Sequence, residues 1–113
     1  MKIFFVVVLV LNLLFEAMAG VSLLLGLVPE AGGWGMNYGF AAIAIASAVV
    51  WLWPYRSNSA AVAVGSGLLL TFHIGLAISL GSQSGQLVPA IVHGVFGAMF
   101  LFFFLQREKW CDV

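Results

Sequence analysis

Four long apolar runs, separated by short breaks, dominate the sequence. The runs cover residues 3–28, 36–53, 59–80 and 87–105. Each is close to the ~20 residues that an α-helix needs to cross about 30 Å of hydrocarbon. Because backbone polar groups in lipid must be paired within the segment, runs this apolar are expected to be helices. The pattern predicts an all-α integral membrane protein, a four-helix bundle with four transmembrane helices forming one domain over residues 1–113.

The breaks between the runs carry turn-forming residues. Pro29 begins a glycine-containing segment after the first run, and Pro54 opens the break after the second. Residues 81–86 combine Gly, Ser and Gln after the third run. Pro89 falls in the first turn of the fourth predicted helix, where proline is tolerated because the amide is unpaired there. These signals predict short loops between consecutive helices.

The first run also has features of a secretory signal peptide. Lys2, an apolar stretch and Ala17-Met18-Ala19 before Gly20 resemble such a segment with its small-residue cleavage site. However, Glu16 is unusual so near a cleavage site, and the apolar run continues through Val28. We therefore expect the first run to remain as a membrane span.

The composition excludes several classes of protein. Hydrophobic residues make up 64% of the chain and charged residues 7%, and the mean hydropathy is +1.17. A soluble domain carries about 25% charged residues, so this chain could not cover a water-facing surface. Four Lys and Arg balance four Asp and Glu, which leaves no basic surface for nucleic acid. The single cysteine, Cys111, cannot form an internal disulfide.

The positions of the cations predict the orientation in the membrane. Lys2, Arg56, Arg107 and Lys109 lie at the N-terminus, in the second loop and at the C-terminus, and the first and third loops contain no Lys or Arg. An even number of spans places these cationic segments on one side, and cytoplasmic segments are the ones enriched in Lys and Arg. We expect both termini in the cytoplasm and a location in a bacterial-type inner (plasma) membrane.

Glu16 is the one charged side chain between Lys2 and Glu30. Counted from the end of the first run, it lies roughly 18 Å deep. An ionised group near the bilayer centre costs on the order of 2.5–3.5 kcal/mol, so Glu16 should face the bundle interior, in its protonated form. Asn12 lies one turn earlier on the same face, and Gly26 is expected to continue that face as a close-packing position. Glu16 is therefore a candidate proton or ligand site; alternatively, a protonated Glu16 fixes helix packing.

His73 and His93 form a second candidate group. They stand ten residues either side of Gln83, and both lie about 10 Å from the ends of the third loop. Antiparallel neighbours would hold them at one level, about 8 Å nearer the membrane surface than Glu16 unless the first helix is tilted or ends early. Ser66 shares a helical face with His73.

Several interpretations of the histidines stay open at this point. Two histidines on facing helices could ligate a haem or a metal ion. They could equally form a polar cluster with Ser66 or bind a ligand at the level of the lipid headgroups. Two ligands are too few for a structural zinc site. A neutral, hydrogen-bonded histidine pair that lines a cavity is the simpler interpretation. On that basis no cofactor is predicted, and a metal or haem at His73 and His93 is the alternative.

Small residues mark the predicted helix contacts, because they let helices approach closely in a membrane. On the second helix these are Ala41, Ala42, Ala44, Ala46, Ser47 and Ala48. On the third and fourth helices they are Gly65, Gly67, Gly75, Gly94 and Gly97.

A first family resemblance rests on the residues around Glu16. The segment Glu16-Ala17-Met18-Ala19-Gly20, which runs on to Gly26-Leu27-Val28-Pro29, resembles a pattern of DoxX-like four-helix membrane proteins. His73 in a later span and Arg107 after the last span are similar in kind to residues of that group. Its glutamate usually falls in the second span, whereas Glu16 falls in the first. The resemblance implies a small-ligand or accessory role.

A second resemblance is to small multidrug resistance transporters. These have a similar length, four helices and an essential glutamate in the first helix, and Glu16 lies in the first predicted helix of this chain. The segment Gly85-Gln86-Leu87-Val88-Pro89-Ala90-Ile91 is similar to the start of their fourth helix. Two features of the family are missing, namely a lysine soon after the glutamate and a tryptophan before the Ser66-Gly67 pair. The resemblance implies transport.

Three functional classes follow. The first is a membrane protein that binds or transports a small hydrophobic or protonatable ligand within the bundle, centred on Glu16 and shaped by Asn12, His73, His93 and Ser66. The second is an accessory subunit of a larger membrane complex, and the third is a haem- or metal-binding redox subunit. No nucleophile motif or nucleotide fingerprint predicts an enzyme. The expected partners are membrane lipids and a second copy or another membrane protein.

Overall fold

The computed structural model describes residues 1–112 of the chain. The four long helices are α1 (Lys2–Leu24), α2 (Gly32–Leu52), α3 (Ser59–Gly81) and α4 (Leu87–Gln106). Short 3-10 turns extend them at Pro29–Ala31, Trp53–Tyr55 and Arg107–Lys109. Each helical segment is long and apolar enough to cross a membrane. The prediction of an all-α fold with four long helices is therefore confirmed, and each of these helices has the length and apolar character that a membrane span requires.

The first helix ends four residues earlier than the apolar run that predicts it. Gly26 has a φ of 69°, and its amide donates to the Leu23 carbonyl while the Leu27 amide donates to the Ser22 carbonyl. This pair of hydrogen bonds is the Schellman motif, which ends a helix at a glycine in the left-handed region. The prediction that Gly26 continues the packing face of α1 is wrong, because Gly26 is the capping residue and has open space around it.

Gly20 supplies the close contact between α1 and α2 instead. A Cβ atom added at Gly20 would lie 2.9 Å from the Gly39 carbonyl oxygen, and one added at Gly39 would lie 3.1 Å from the Gly20 oxygen. Ala42 and Ala46 continue the buried face of α2, whereas Ala41 is exposed. Small residues therefore do build this contact, but on a narrower face than the sequence predicts.

The α3–α4 contact depends on Gly97. A Cβ atom added there would lie 2.7 Å from Ile74 Cδ1. Gly67 and Gly75 have nothing within 4 Å of such an atom, so they are not the contact points that the sequence predicts. The helices pack mainly as two hairpins, α1 with α2 and α3 with α4.

One end of the bundle holds Met1, Asp112 and the loop between α2 and α3; we call it the terminal end. The Asp112 amide donates to the Ser57 carbonyl at 2.6 Å, and the Ser59 amide donates to the Asp112 carbonyl at 3.0 Å. Lys2 Nζ lies 3.3 Å from Asp112 Oδ1. The apolar core is formed by Phe5, Val8, Leu9, Val49, Leu52, Val62, Leu69, Phe100, Phe103 and Trp110. This core and the bonds around Asp112 close the terminal end.

Candidate functional site

The polar residues that the sequence singles out all lie in the bundle interior. Asn12, Glu16, Ser66 and His73 are fully buried, and His93 is 3% exposed. Asn12 and Glu16 are one turn apart on α1, while α3 contributes His73 and α4 contributes His93. Side chains from three helices therefore meet, and we call Asn12, Glu16, His73 and His93 the polar cluster.

The early end of α1 brings Glu16 to the level of the histidines. Glu16 is eight residues before Leu24, and His73 is eight residues before Gly81, so both lie about 12 Å from their helix ends. His93 lies six residues after Leu87, or about 9 Å from the start of its helix. The depth difference of about 8 Å between Glu16 and the histidines does not hold, because α1 ends early, which is one of the two exceptions stated with that expectation.

A hydrogen-bond chain links three members of the polar cluster. His73 Nε2 lies 2.5 Å from Asn12 Oδ1, and an amide oxygen only accepts, so Nε2 carries the hydrogen. In a neutral imidazole the other nitrogen, Nδ1, then has a lone pair. It accepts from His93 Nδ1, which lies 2.8 Å away. The hydrogen bonds thus link His93 to His73 and His73 to Asn12, and they fix the tautomers of both rings.

Glu16 lies beside these three residues but forms no hydrogen bond with them. Its Oε1 atom is 3.8 Å from His73 Nδ1 and 3.7 Å from His93 Nδ1, which is too long for a hydrogen bond. Within residues 1–112, both Glu16 carboxyl oxygens, Asn12 Nδ2 and Ser66 Oγ are buried without a hydrogen-bond partner. Each such group costs about 1–3 kcal/mol. The polar cluster therefore has unused bonding capacity that a ligand can satisfy.

Aromatic rings enclose the two histidines. His73 stacks on Phe96, with ring centroids 5.1 Å apart and an interplanar angle of 21°, and Phe15 meets His93 edge-on at 5.4 Å. Phe72 contacts both imidazoles. The sequence analysis missed these rings, although Phe96 stands one turn after His93 and Phe15 and Phe72 are chain neighbours of Glu16 and His73. They hold the imidazoles in place and keep their surroundings apolar.

The end of the bundle opposite the terminal end, which we call the cavity end, contains an open cavity of about 550 Å³. Its wall is formed by Phe15, Ala19, Ser22, Leu23, Val28, Trp34, Tyr38, Leu76, Ser79, Leu80, Gln83, Gln86, Pro89 and His93. The lining comes from all four helices and from the loop between α3 and α4. Because His93 belongs to both, the cavity reaches the polar cluster.

The cluster can also hold a metal ion. One ligand atom each from Glu16, His73 and His93 lies within 4.8 Å of the others. The sequence indicates the two histidines as candidate metal ligands, and in the structure Glu16 lies close enough to be a third candidate. A porphyrin between the two histidines does not fit, because their Nδ1 atoms are only 2.8 Å apart. Ser66 forms no hydrogen bond with the cluster within residues 1–112.

Comparisons with protein-family models, with curated proteins and with solved structures gave no match. The resemblances to DoxX-like proteins and to small multidrug resistance transporters stay predictions.

Proposed function

We propose that this membrane protein binds a small, mainly apolar ligand in the cavity, and that a polar or protonatable group of the ligand bonds to the polar cluster. The observation that supports this most directly is the position of His93. Its ring borders the cavity and is also hydrogen-bonded into the buried cluster beside the unpartnered Glu16 carboxyl group. A ligand in the cavity can therefore contact a group whose proton and hydrogen bonds are shared with His73.

The cavity favours a ligand of small-molecule size. Its volume of about 550 Å³ falls in the range of roughly 300–1,000 Å³ found for small-molecule sites, which are mostly apolar with a few placed polar groups. Trp34 and Tyr38 pack edge to face in its wall, and Gln83 and Gln86 add amide groups near the opening. This combination suits a flat or branched apolar body with one hydrogen-bonding group.

Because the terminal end is closed, we favour a protein that binds its ligand over one that lets the ligand pass through the bundle. Phe5 and Phe103 pack edge to face with ring centroids 4.9 Å apart, and Trp110 packs on Phe5 at 5.0 Å. These rings fill the bundle between the polar cluster and the terminal end. In this conformation a ligand would enter and leave through the cavity end.

We place the terminal end in the cytoplasm, and the cavity end on the outer side of an inner-type membrane, because all four Lys and Arg residues belong to the terminal end. Large apolar side chains around the bundle are exposed, among them Leu14, Phe40 and Val64. They require lipid or another membrane protein as neighbours. An accessory-subunit role would use these surfaces but would not require the cavity or the unpartnered Glu16.

Native mass spectrometry of the protein, extracted gently from its own membrane, tests the proposal. The expected result is a bound non-protein mass that is lost in Ala19→Trp, which fills the cavity, and in His93→Ala. A matched control is Ala41→Trp, because Ala41 is exposed outside the cavity; it should retain the bound mass. A fixed protein partner without such a mass, or a mass that survives Ala19→Trp, would contradict ligand binding in the cavity.

A further inference from the structure

The polar cluster has the ligand set and the supporting contacts of a metal site. We propose that Glu16 Oε1, His73 Nδ1 and His93 Nδ1 bind one divalent first-row transition-metal ion, and that Asn12 orients His73 for it. This site shares residues with the proposed ligand site, but it does not require the cavity to be filled. It therefore goes beyond the proposed function and can be tested separately.

The distances between the ligand atoms are close to those of a coordinated ion. With metal–ligand bonds of about 2.0–2.1 Å, two ligands stand about 3.0 Å apart at a right angle and about 3.4 Å apart in a tetrahedron. The two Nδ1 atoms are 2.8 Å apart, and Glu16 Oε1 is 3.7 and 3.8 Å from them. The observed distances differ from these values by a few tenths of an ångström. Shifts of that size at the side-chain ends would bring all three atoms to bonding distance from one ion.

Asn12 provides the second observation. A histidine that binds a metal usually donates its other ring N–H to an oxygen, which fixes the tautomer and the ring direction. His73 donates Nε2–H to the fully buried Asn12 Oδ1, and its Nδ1 lone pair is thereby directed to the side where His93 and Glu16 lie. Asn12 stands one turn from Glu16 on α1, so a single helix face supplies both a ligand and the group that orients another.

The buried carboxyl group of Glu16 points to the same conclusion. Both of its oxygens lack a hydrogen-bond partner within residues 1–112 although the side chain is fully buried. On binding, a metal ion would replace the carboxyl proton, which is released to solvent, and would then satisfy Oε1 and offset the charge of the carboxylate. For both Nδ1 atoms to coordinate, the hydrogen between them would move to His93 Nε2, so that each imidazole stays neutral.

The ligand types select the class of ion. Two imidazoles and one carboxylate suit Zn²⁺, Fe²⁺, Co²⁺, Ni²⁺ and Cu²⁺, whereas Mg²⁺ and Ca²⁺ prefer oxygen ligands throughout. Three protein ligands leave at least one coordination position, as in zinc sites that bind a water or a substrate. Since His93 borders the cavity, a water or a ligand group from the cavity can supply the remaining bond.

Titration with Co²⁺ alone tests this site in the full-length protein, stripped with a chelator and held in lipid nanodiscs. The expected result is one Co²⁺ per chain with visible absorption bands, displaced by Zn²⁺ but not by Mg²⁺. Glu16→Gln and His73→Ala should each weaken binding at least 100-fold. Asn12→Ala should weaken it by about 10–100-fold, and Asn12→Asp, which keeps an acceptor oxygen, should restore it.

Ser66→Ala is the matched control, because Ser66 is equally buried but lies outside the metal cluster; it should bind Co²⁺ like the wild type. Absence of stoichiometric Co²⁺ binding by the wild-type protein would overturn the proposal, whatever the variants do. So would Co²⁺ binding that is unchanged in Glu16→Gln. Ala19→Trp separates the two proposals, since it should abolish the cavity-bound mass and leave Co²⁺ binding intact.

Discussion

The terminal end and the cavity end of the bundle are built from different residues. At the terminal end, Phe5 and Phe103 are fully buried and Trp110 packs against both rings. At the cavity end, the helices enclose about 550 Å³ of open space that reaches a cluster of buried polar side chains. The first arrangement packs aromatic rings together and leaves Trp110 Nε1 without a hydrogen-bond partner, whereas the second leaves both Glu16 carboxyl oxygens and Asn12 Nδ2 without partners within residues 1–112.

Because of this difference, the residues that stabilise the fold and the residues proposed to bind a ligand lie in different parts of the bundle. Tight packing is a main source of helix association in a membrane, where lipid tails are as apolar as the side chains. We therefore expect the terminal end to contribute most of the stability and the polar cluster to reduce it. Such a reduction is expected where bonding groups are kept free for a ligand.

Phe103→Ala should give the largest loss of stability. Phe103 is fully buried and packs against Phe4, Phe5, Phe102 and Trp110. Its removal leaves a cavity and should lower the free energy of unfolding by about 3 kcal/mol. Denaturant unfolding in mixed micelles measures this, and Phe102→Ala, which removes a partly exposed ring, is the control. Equal losses for the two variants would mean that the terminal end is not the main stabilising region.

Glu16→Met should have the opposite effect and raise the stability. It replaces a buried carboxyl group that has no hydrogen-bond partner with an apolar side chain of similar length, and it should raise the free energy of unfolding by about 1–3 kcal/mol. The same variant should lose Co²⁺ binding. A destabilised Glu16→Met protein would show that Glu16 serves packing, and the separation of stability from binding would then fail.

Gly97→Ala tests the contact within the α3–α4 hairpin. The added methyl group would meet Ile74 Cδ1 at 2.7 Å, so we expect a loss of about 1 kcal/mol. Gly67→Ala is the matched control, because nothing lies within 4 Å of the added atom; it should be neutral or stabilising by up to about 1 kcal/mol. Thermal unfolding of the pair in one detergent gives the comparison, and a loss of stability in Gly67→Ala would contradict it.

Lys2→Ala should have a small effect. The Lys2–Asp112 ion pair at the terminal end is exposed to solvent, and exposed pairs contribute less than about 1 kcal/mol. Raised salt should reduce the difference between the variant and the wild type further. A larger loss that is insensitive to salt would mean that Lys2 closes the terminal end through contacts other than this pair.

The smallest effect is expected at Cys111, where burial raises the pKa of the thiol. The thiolate is the reactive form, so alkylation at neutral pH should be slower than for a free cysteine. The rate should rise with pH and, after denaturation, reach that of a free thiol. A native rate equal to that of free cysteine would indicate that the terminal end is open at Trp110.

Much of the fold could be predicted from hydropathy. The four apolar runs correspond to the four helices, since length and apolar character decide whether a segment can span a membrane. The end of α1 could not be read this way, because Leu25, Leu27 and Val28 prolong the apolar run beyond the helix. Gly26 ends the helix through its backbone conformation, to which a hydropathy pattern is insensitive.

The members of the site could be predicted, but not their geometry. Glu16, His73 and His93 stand out because polar side chains are rare in apolar spans. Their contact depends on the true end of α1 and on how the two hairpins face each other, which no single helix pattern contains. The roles of Asn12 and Phe96 depend on that contact in turn. The orientation in the membrane and the partners remain predictions.

The central claim is that the polar cluster is reached from the cavity end and sealed from the terminal end. Thiol labelling with a membrane-impermeant reagent, applied to either side of vesicles in a Cys111→Ser background, tests it most directly. The account predicts that Ala19→Cys is labelled from one side only, the side opposite the termini, and that Val49→Cys in the terminal core is labelled from neither. Labelling of Val49→Cys, or labelling of Ala19→Cys from the side of the termini, would contradict the account.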